Sequence, residues 1–315
     1  MKIVLLDTGT LGEDIDLSPI FNAGDAVEYK HTAPDEIADR IVDAEVVVIN
    51  KIKLNESNLS RAARLRLICI TATGYDNIDV AYCRTRGIAV CNVPGYSTDS
   101  VAQLTMAMAL SLVTHLNEYR SCVHSGEYTA SGVANRLTPV FHEFSSLTWG
   151  IVGGGAIGSR VAALASAFGA HILVCRRATE SRYEQVDIDE LCRRADVITL
   201  HVPLNDTTRN MINRERIASM KPNAVLINVA RGAVTDEAAL TEAIEQGRLG
   251  GLGVDVYSLE PFGADHPFNR ILGDERVCLT PHMAWGSSEA RARCISVIAD
   301  NILSFEQGGR NNRVD

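Results

Sequence analysis

Apolar positions fall along this chain in short unbroken runs, separated by longer stretches in which apolar and polar residues mix at helical spacing. The runs at 2–6, 26–29, 45–49, 67–70 and 88–91 are rich in β-branched residues. Helix-like segments such as 35–41 and 58–63 lie between them. A strand that is apolar at every position is covered on both faces, and strands alternating with helices pair in parallel. The first block is therefore predicted as a parallel α/β sheet.

The same alternation returns in the second half. Strands are predicted at 148–152, 171–175, 197–201, 224–229, 251–256 and 277–279, with helices between them such as 160–168 and 236–246. Six strands fit a full dinucleotide-binding sheet. Between the two blocks, Pro94-Gly95 closes the first, and residues 97–103 open a long helix expected to reach residue 120. Ser100 and Gln103 stand at capping-box spacing. Residues 126–146 lack periodicity and are expected to form a loop or an extension used in oligomer contact. A final amphipathic helix is predicted over 287–305, closed by Gly308-Gly309. The fold class is α/β, with two doubly wound parallel sheets.

The glycine pattern locates a ligand on the second sheet. Gly153, Gly155 and Gly158 follow the strand 148–152 in G-x-G-x-x-G spacing and open a helix through Ala156 and Ile157. The first glycine permits the turn, the second lets a pyrophosphate approach the backbone, and the third lets helix and strand pack closely. Free N–H groups at the helix start then face the phosphates. By contrast, Gly9 and Gly12 after the first strand have G-x-x-G spacing, a poor phosphate loop.

Composition narrows the partners. The chain has 315 residues, 46% hydrophobic and 22% charged, and 30 Lys and Arg against 39 Asp and Glu give a net charge of −9. That balance argues against nucleic acid. The run 101–113 is broken by Gln103, Thr105 and Ser111, so no membrane span is expected. The first residues enter an acidic loop without a cleavage-like segment, which reads as no signal peptide. Eight Cys contain no C-x-x-C pair, so no metal site is expected, and the thiols read as buried ones in a reducing cytoplasm.

Three segments carry candidate chemistry, each at the end of a predicted strand: Asn228-Val229-Ala230-Arg231-Gly232, Asp255-Val256-Tyr257-Ser258-Leu259-Glu260-Pro261 and Leu279-Thr280-Pro281-His282. Ligands of such sheets bind beyond the carboxyl ends of the strands, on the edge that bears the glycine loop. Hydride exchange needs a proton donor or acceptor near neutral pH, and His282 is the natural candidate. Glu260 is placed to hold its tautomer and favour its charged form. Arg231 offers a planar double donor for an anionic substrate.

With these blocks in hand, the chain resembles the D-2-hydroxyacid dehydrogenases. TATGYDNID, NVPGYSTDSVAQ, WGIVGGGAIG, LHVPLNDTTRNMIN, NVARG, DVYSLEP and LTPH carry the likeness. The resemblance implies a flavodoxin-like substrate domain, 1–98 with 287–315, and a Rossmann cofactor domain, 99–286. It implies Arg231 as substrate anchor, Glu260 as partner of the base and His282 as acid/base, with Thr73 and Gly74 as backbone donors to the substrate carboxylate. It implies that His201, Val202, Pro203, Thr208 and Asp255 line the cofactor beside Val229, Ala230, Arg231 and His282, and that the protein is a homodimer. VINK and PGYSTDSVAQ look most like glycerate dehydrogenases, the hydroxypyruvate reductases, which would put Asn50 and Lys51 near the substrate. Glyoxylate is a further candidate keto acid.

One departure concerns the cofactor. NAD-dependent members carry an acid at the end of the second strand, about 20 residues past the glycine loop. Here Cys175 is followed by Arg176 and Arg177, and no acid comes before Glu180. NADP(H) is therefore expected in preference to NAD(H). The rival, non-enzymatic reading is a dinucleotide-sensing corepressor of the same fold, which would need a peptide groove and tail motifs. The short stretch 310–315 after the last helix favours the enzyme.

Overall fold

Every apolar run of the first block is a strand: β1 (Lys2–Leu5), β2 (Asp25–Glu28), β3 (Val46–Ile49), β4 (Leu67–Ile70) and β5 (Ala89–Cys91). They form one sheet in the order β2-β1-β3-β4-β5, and every pair is parallel. This is the flavodoxin-like order, in which the chain starts inside the sheet, adds a strand on one side and then reverses. All four residues of β3 and of β4 are buried, which is why these runs carry no polar position. The computed structural model describes residues 1–176 and 182–315. They divide into two units, Met1–Ser97 with Gly286–Asp315, and Thr98–Trp285.

The helix Ser288–Glu306 belongs to the first unit. Ser287 caps it by accepting from the Ala290 N–H, and Arg291 forks onto Asp14. Beyond it the chain returns to β5, where the Val314 N–H donates to the Val90 carbonyl.

The second unit holds β6 (Thr148–Val152), β7 (His171–Cys175), β8 (Glu184–Gln185), β9 (Val197–Leu200), β10 (Val225–Asn228), β11 (Gly251–Val254) and β12 (Val277–Leu279). The order is β12-β11-β10-β9-β6-β7-β8, all parallel. The direction of winding reverses between β6 and β9, and this switch point is where such sheets bind ligands. Trp149 of β6 is fully buried and meets Phe144 edge-on at 5.4 Å between centroids.

The structure corrects several sequence expectations. The second sheet has a seventh strand, β8, which is two exposed polar residues long and so leaves no apolar pattern. The long helix is two helices, Thr98–Val113 and Leu116–His124, because His115 adopts a left-handed φ of 52° that no Gly or Pro announces. Ser100 lies inside the first of them, and its hydroxyl donates to the Ala284 carbonyl. The helix expected at 58–63 is instead Glu56–Leu59, started by Asn55, whose side chain accepts from the Ser57 N–H. The segment expected at 35–41 is a single turn, Ile37–Arg40.

Candidate active site

The glycine loop sits at the carboxyl end of β6. Gly153 has φ of 102°, and a Cβ there would lie 2.4 Å from the His201 carbonyl oxygen across the switch point. A Cβ on Gly158 would lie 1.8 Å from the Gly153 carbonyl, so only glycine lets the helix Ala156–Ala167 start against this turn. A Cβ on Gly155, by contrast, would touch nothing within 4 Å. The two outer glycines thus build the loop, and the middle one leaves its backbone approachable. Ala156 and Ile157 form the first turn of the helix, where backbone N–H groups have no intrahelical partner.

Beside this loop lies a cavity of about 600 Å³, lined in part by Gly154, Ser159, Val174, Arg176, Arg182 and Tyr183. Arg176 follows β7, and its side chain crosses the loop so closely that a Cβ on Gly154 would meet its Cδ at 2.8 Å. Arg177 and Glu180 lie outside the described residues. A phosphate-approachable glycine turn, a helix start and a cavity carrying a guanidinium together fit a dinucleotide.

On the other side of the switch point the chain leaves β9 through His201, Val202 and Pro203. Burial pushes the His201 imidazole down to about 3, so the ring is neutral. Its Nε2 lies 3.0 Å from the Thr199 hydroxyl, which accepts from the Trp149 indole, and its Nδ1 is buried and finds no hydrogen-bond partner among the described residues. Thr208 closes the next loop by donating to the Pro203 carbonyl at 2.6 Å and accepting from the Asn205 N–H.

Register brings the three chemical segments together. Asn228 of β10 pairs with Val254 of β11, and Val254 pairs with Leu279 of β12. Three adjacent strands therefore end level, and Arg231, Glu260 and His282 follow from that one edge. Asn228 shapes the first exit, accepting from the Ala230 N–H and donating to the Arg231 carbonyl. Val229 is half-buried and Ala230 buried, while the Arg231 guanidinium donates to the Ala230 carbonyl. Gly232 then packs on the neighbouring segment, since a Cβ there would lie 2.0 Å from the Tyr257 carbonyl carbon.

Glu260 and His282 meet directly. The Nδ1 of His282 is 2.6 Å from Oε2 of Glu260, whose other oxygen accepts from the Tyr257 N–H at 2.9 Å. His282 sits at φ of 51°, a left-handed conformation that histidine adopts more readily than most side chains. Asp255 braces the loop around it. Its carboxylate accepts from the Thr280 hydroxyl and from the N–H groups of Met283 and Ala284, on both sides of His282. Burial pushes Asp255 up, opposed by these bonds.

In the first unit, Asn50 and Lys51 follow β3, and Thr73 and Gly74 follow β4. Asp7 grips the first of these exits, accepting from the N–H groups of Asn50, Lys51 and Ile52 at 2.8, 2.6 and 3.2 Å. Asn77 donates to the carbonyls of Asn50 and Ile52. Thr73 donates its hydroxyl to the Val93 carbonyl. Asp7 and Asn77 carried no recognisable signal in the sequence; a carboxylate at a strand end is commonplace.

An imidazole paired with a carboxylate, an arginine and a dinucleotide-type glycine loop on one sheet edge fit a nicotinamide-dependent oxidoreductase. Residues 106–284 match the family model described as D-isomer specific 2-hydroxyacid dehydrogenase, NAD binding domain. The glycerate dehydrogenase of Methylorubrum extorquens is 34% identical over 318 residues, covering 100% of this chain and 99% of that protein. Among solved structures, D-lactate dehydrogenase from Aquifex aeolicus, complexed with NAD and lactic acid, superposes with a TM-score of 0.88 at 30% identity, over 100% of this chain and 99% of that one. An acyclic imino acid reductase in complex with NADPH and D-Arg gives 0.87 at 28% identity, with both chains covered in full. The chain belongs to the D-isomer specific 2-hydroxyacid dehydrogenases. It exchanges hydride between a nicotinamide dinucleotide and a 2-hydroxy acid or its keto acid, and the corepressor reading is not favoured.

Proposed function

We propose that this protein works as a reductase of short 2-keto acids, hydroxypyruvate or glyoxylate foremost, with NADPH as the favoured cofactor. The carrying observation is the 2.6 Å contact between Glu260 and His282 on the edge that Arg231 shares. When bound, the reduced nicotinamide supplies the hydride. Reduction of a ketone also needs a proton on its oxygen, and His282 delivers it from Nε2, since Nδ1 faces Glu260. Glu260 stabilises the protonated ring and fixes its orientation. Arg231 holds the substrate carboxylate through its planar fork. Asn50, Lys51, Thr73 and Gly74 are the proposed substrate contacts of the first unit, and that unit is the proposed substrate-binding domain.

Gly153, Gly155, Ala156, Ile157 and Gly158 are proposed to hold the pyrophosphate. His201, Val202, Pro203, Thr208, Val229, Ala230 and Asp255 are proposed to line the rest of the cofactor, the last through its grip on the His282 loop. Arg176, on the cavity wall where an acid would select NAD, is proposed to bind a 2′-phosphate, with Arg177 beside it in sequence. The NADPH complex of the imino acid reductase is in keeping with this choice. A homodimer is proposed through residues 116–141, where Leu116, Val123, Val133, Leu137 and Val140 expose apolar side chains. A cytoplasmic setting is proposed from eight unpaired cysteines, six of them buried. The test is loss of NADPH or NADH absorbance with a panel of 2-keto acids. Turnover of hydroxypyruvate or glyoxylate is expected; absence of turnover with every keto acid would overturn the reading.

A further inference from the structure

Glu237 is a buried carboxylate that the reaction does not use. It opens the helix Glu237–Glu245 and is 9% exposed. A glutamate at that depth needs partners. It has three: the Ser258 N–H at 2.8 Å, the Ser258 hydroxyl, and Nε2 of His266 at 3.1 Å. His266 is buried too, and its Nδ1 accepts from the Phe268 N–H at 3.3 Å. That bond leaves the ring proton on Nε2, directed at Glu237. The His266 ring is closed in by Tyr257, Phe262 and Phe268, at 6.1, 4.7 and 5.0 Å between centroids.

The consequence lies one residue away. The Tyr257 N–H donates to Glu260, and the next N–H, Ser258, donates to Glu237. Two successive amides of one turn are thus divided between two carboxylates. One of these carboxylates pairs with His282, and the other is anchored in the core. Gly232 closes the turn from the third side, since a Cβ there would lie 2.1 Å from the Ser258 nitrogen. The turn therefore cannot shift toward Arg231, and Glu237 holds it from behind.

We propose that Glu237, with His266, is a positioning residue that acts through Ser258 to hold Glu260 against His282. This rests on the roles assigned above to Glu260 and His282. Among the described residues, the titratable groups acting on this network are Asp255 beneath the His282 loop, Tyr257, and Cys278 on β12. Burial pushes Tyr257 up to about 12 and raises Cys278, so both stay uncharged near neutral pH.

The experiment is an NMR titration of the His282 ring in the full-length protein, assigned by its loss in His282→Gln. Glu237→Gln puts an amide where His266 and Ser258 both donate, so the turn loosens. The His282 midpoint is expected to fall by about half a pH unit, the size of a modest coupling within one hydrogen-bond network. Ser258→Ala removes only the hydroxyl bond and should shift it less, in the same direction. In a Glu260→Gln background neither change should shift it further. An unmoved midpoint in folded Glu237→Gln, or in Ser258→Ala if Glu237→Gln does not fold, would overturn the proposal. So would an equal shift in the Glu260→Gln background, since Glu237 would then act by its own charge. The titration needs no substrate, so a protein that reduced no keto acid would count against the functional reading and leave this result standing.

Discussion

His282 faces Glu260 across 2.6 Å, yet the two residues leave different strands and stand 22 positions apart in the chain. The contact exists because β11 and β12 end level, and because the turn after β11 folds Glu260 back over its own Tyr257 N–H.

The sign of the first prediction follows from that contact. Keto-acid reduction needs protonated His282, so its rate is present at lower pH and fades as pH rises through the titration of the pair. Glu260→Gln removes the charge that favours the proton. The fade should move to lower pH. Profiles of kcat/KM against pH for the parent and the variant check it; coincident profiles would show that the pair is not coupled.

Arg231→Lys keeps a positive charge and loses the fork. A hydrogen bond to a charged group contributes about 1.5–3 kcal/mol, so kcat/KM for keto acids should fall on the order of tenfold to a hundredfold. Cofactor affinity, measured by quenching of tryptophan fluorescence, should change little. An unaltered kcat/KM would remove Arg231 from the substrate site.

How far the sequence discloses these parts depends on whether their signal is local. Gly153, Gly155 and Gly158 are legible because a strand, a turn and a helix follow one another within a few residues. Arg231, Glu260 and His282 are legible because each follows a run apolar on both faces, and parallel strands place such ends on one edge. Glu237 is not legible. It opens the stretch EAALTEAIE, which looks like any solvated helix, and only the fold brings it to Ser258. The break at His115 is hidden for a related reason: a single left-handed residue interrupts a pattern whose composition stays helical. β8 is hidden because Glu184 and Gln185 pair through backbone alone.

His201 supplies a prediction for stability. In the unfolded chain its ring takes up a proton near 6.5; in the folded protein burial holds it neutral down to about 3. Between those values the unfolded state binds more protons, so stability is full above about 6.5 and declines as pH falls. The decline approaches a factor of about ten in the folding constant per pH unit. His201→Gln cannot titrate, so its melting temperature should fall less between pH 7 and pH 5 than that of the parent. Parallel curves for the two proteins would contradict this.

The apolar side chains of 116–141 bear on the oligomer. Leu137 and Val140 are 73% and 70% exposed, and a second copy burying them is what the proposed dimer requires. Leu137→Asp with Val140→Asp should convert a dimer to a monomer in light scattering. A parent that is already monomeric at micromolar concentration would refute the dimer.

The cofactor choice turns on Arg176. It directly follows β7, its side chain lies over Gly154, and it lines the cavity of about 600 Å³ beside the glycine loop. An acid at this strand end would repel a 2′-phosphate while binding the ribose hydroxyls; an arginine attracts the phosphate, and its fork matches phosphate geometry. One charge-assisted bond at about 1.5–3 kcal/mol corresponds to a preference on the order of tenfold to a hundredfold for NADPH. The preference should shrink with added salt, since the cavity is open to water. Arg176→Asp reverses the charge, so kcat/KM for NADPH should drop and that for NADH should hold or rise. Steady-state rates with both cofactors in both proteins decide the matter. A parent that works better with NADH would remove Arg176 as a phosphate ligand and leave Glu260 and His282 untouched, because they act at the opposite end of the dinucleotide.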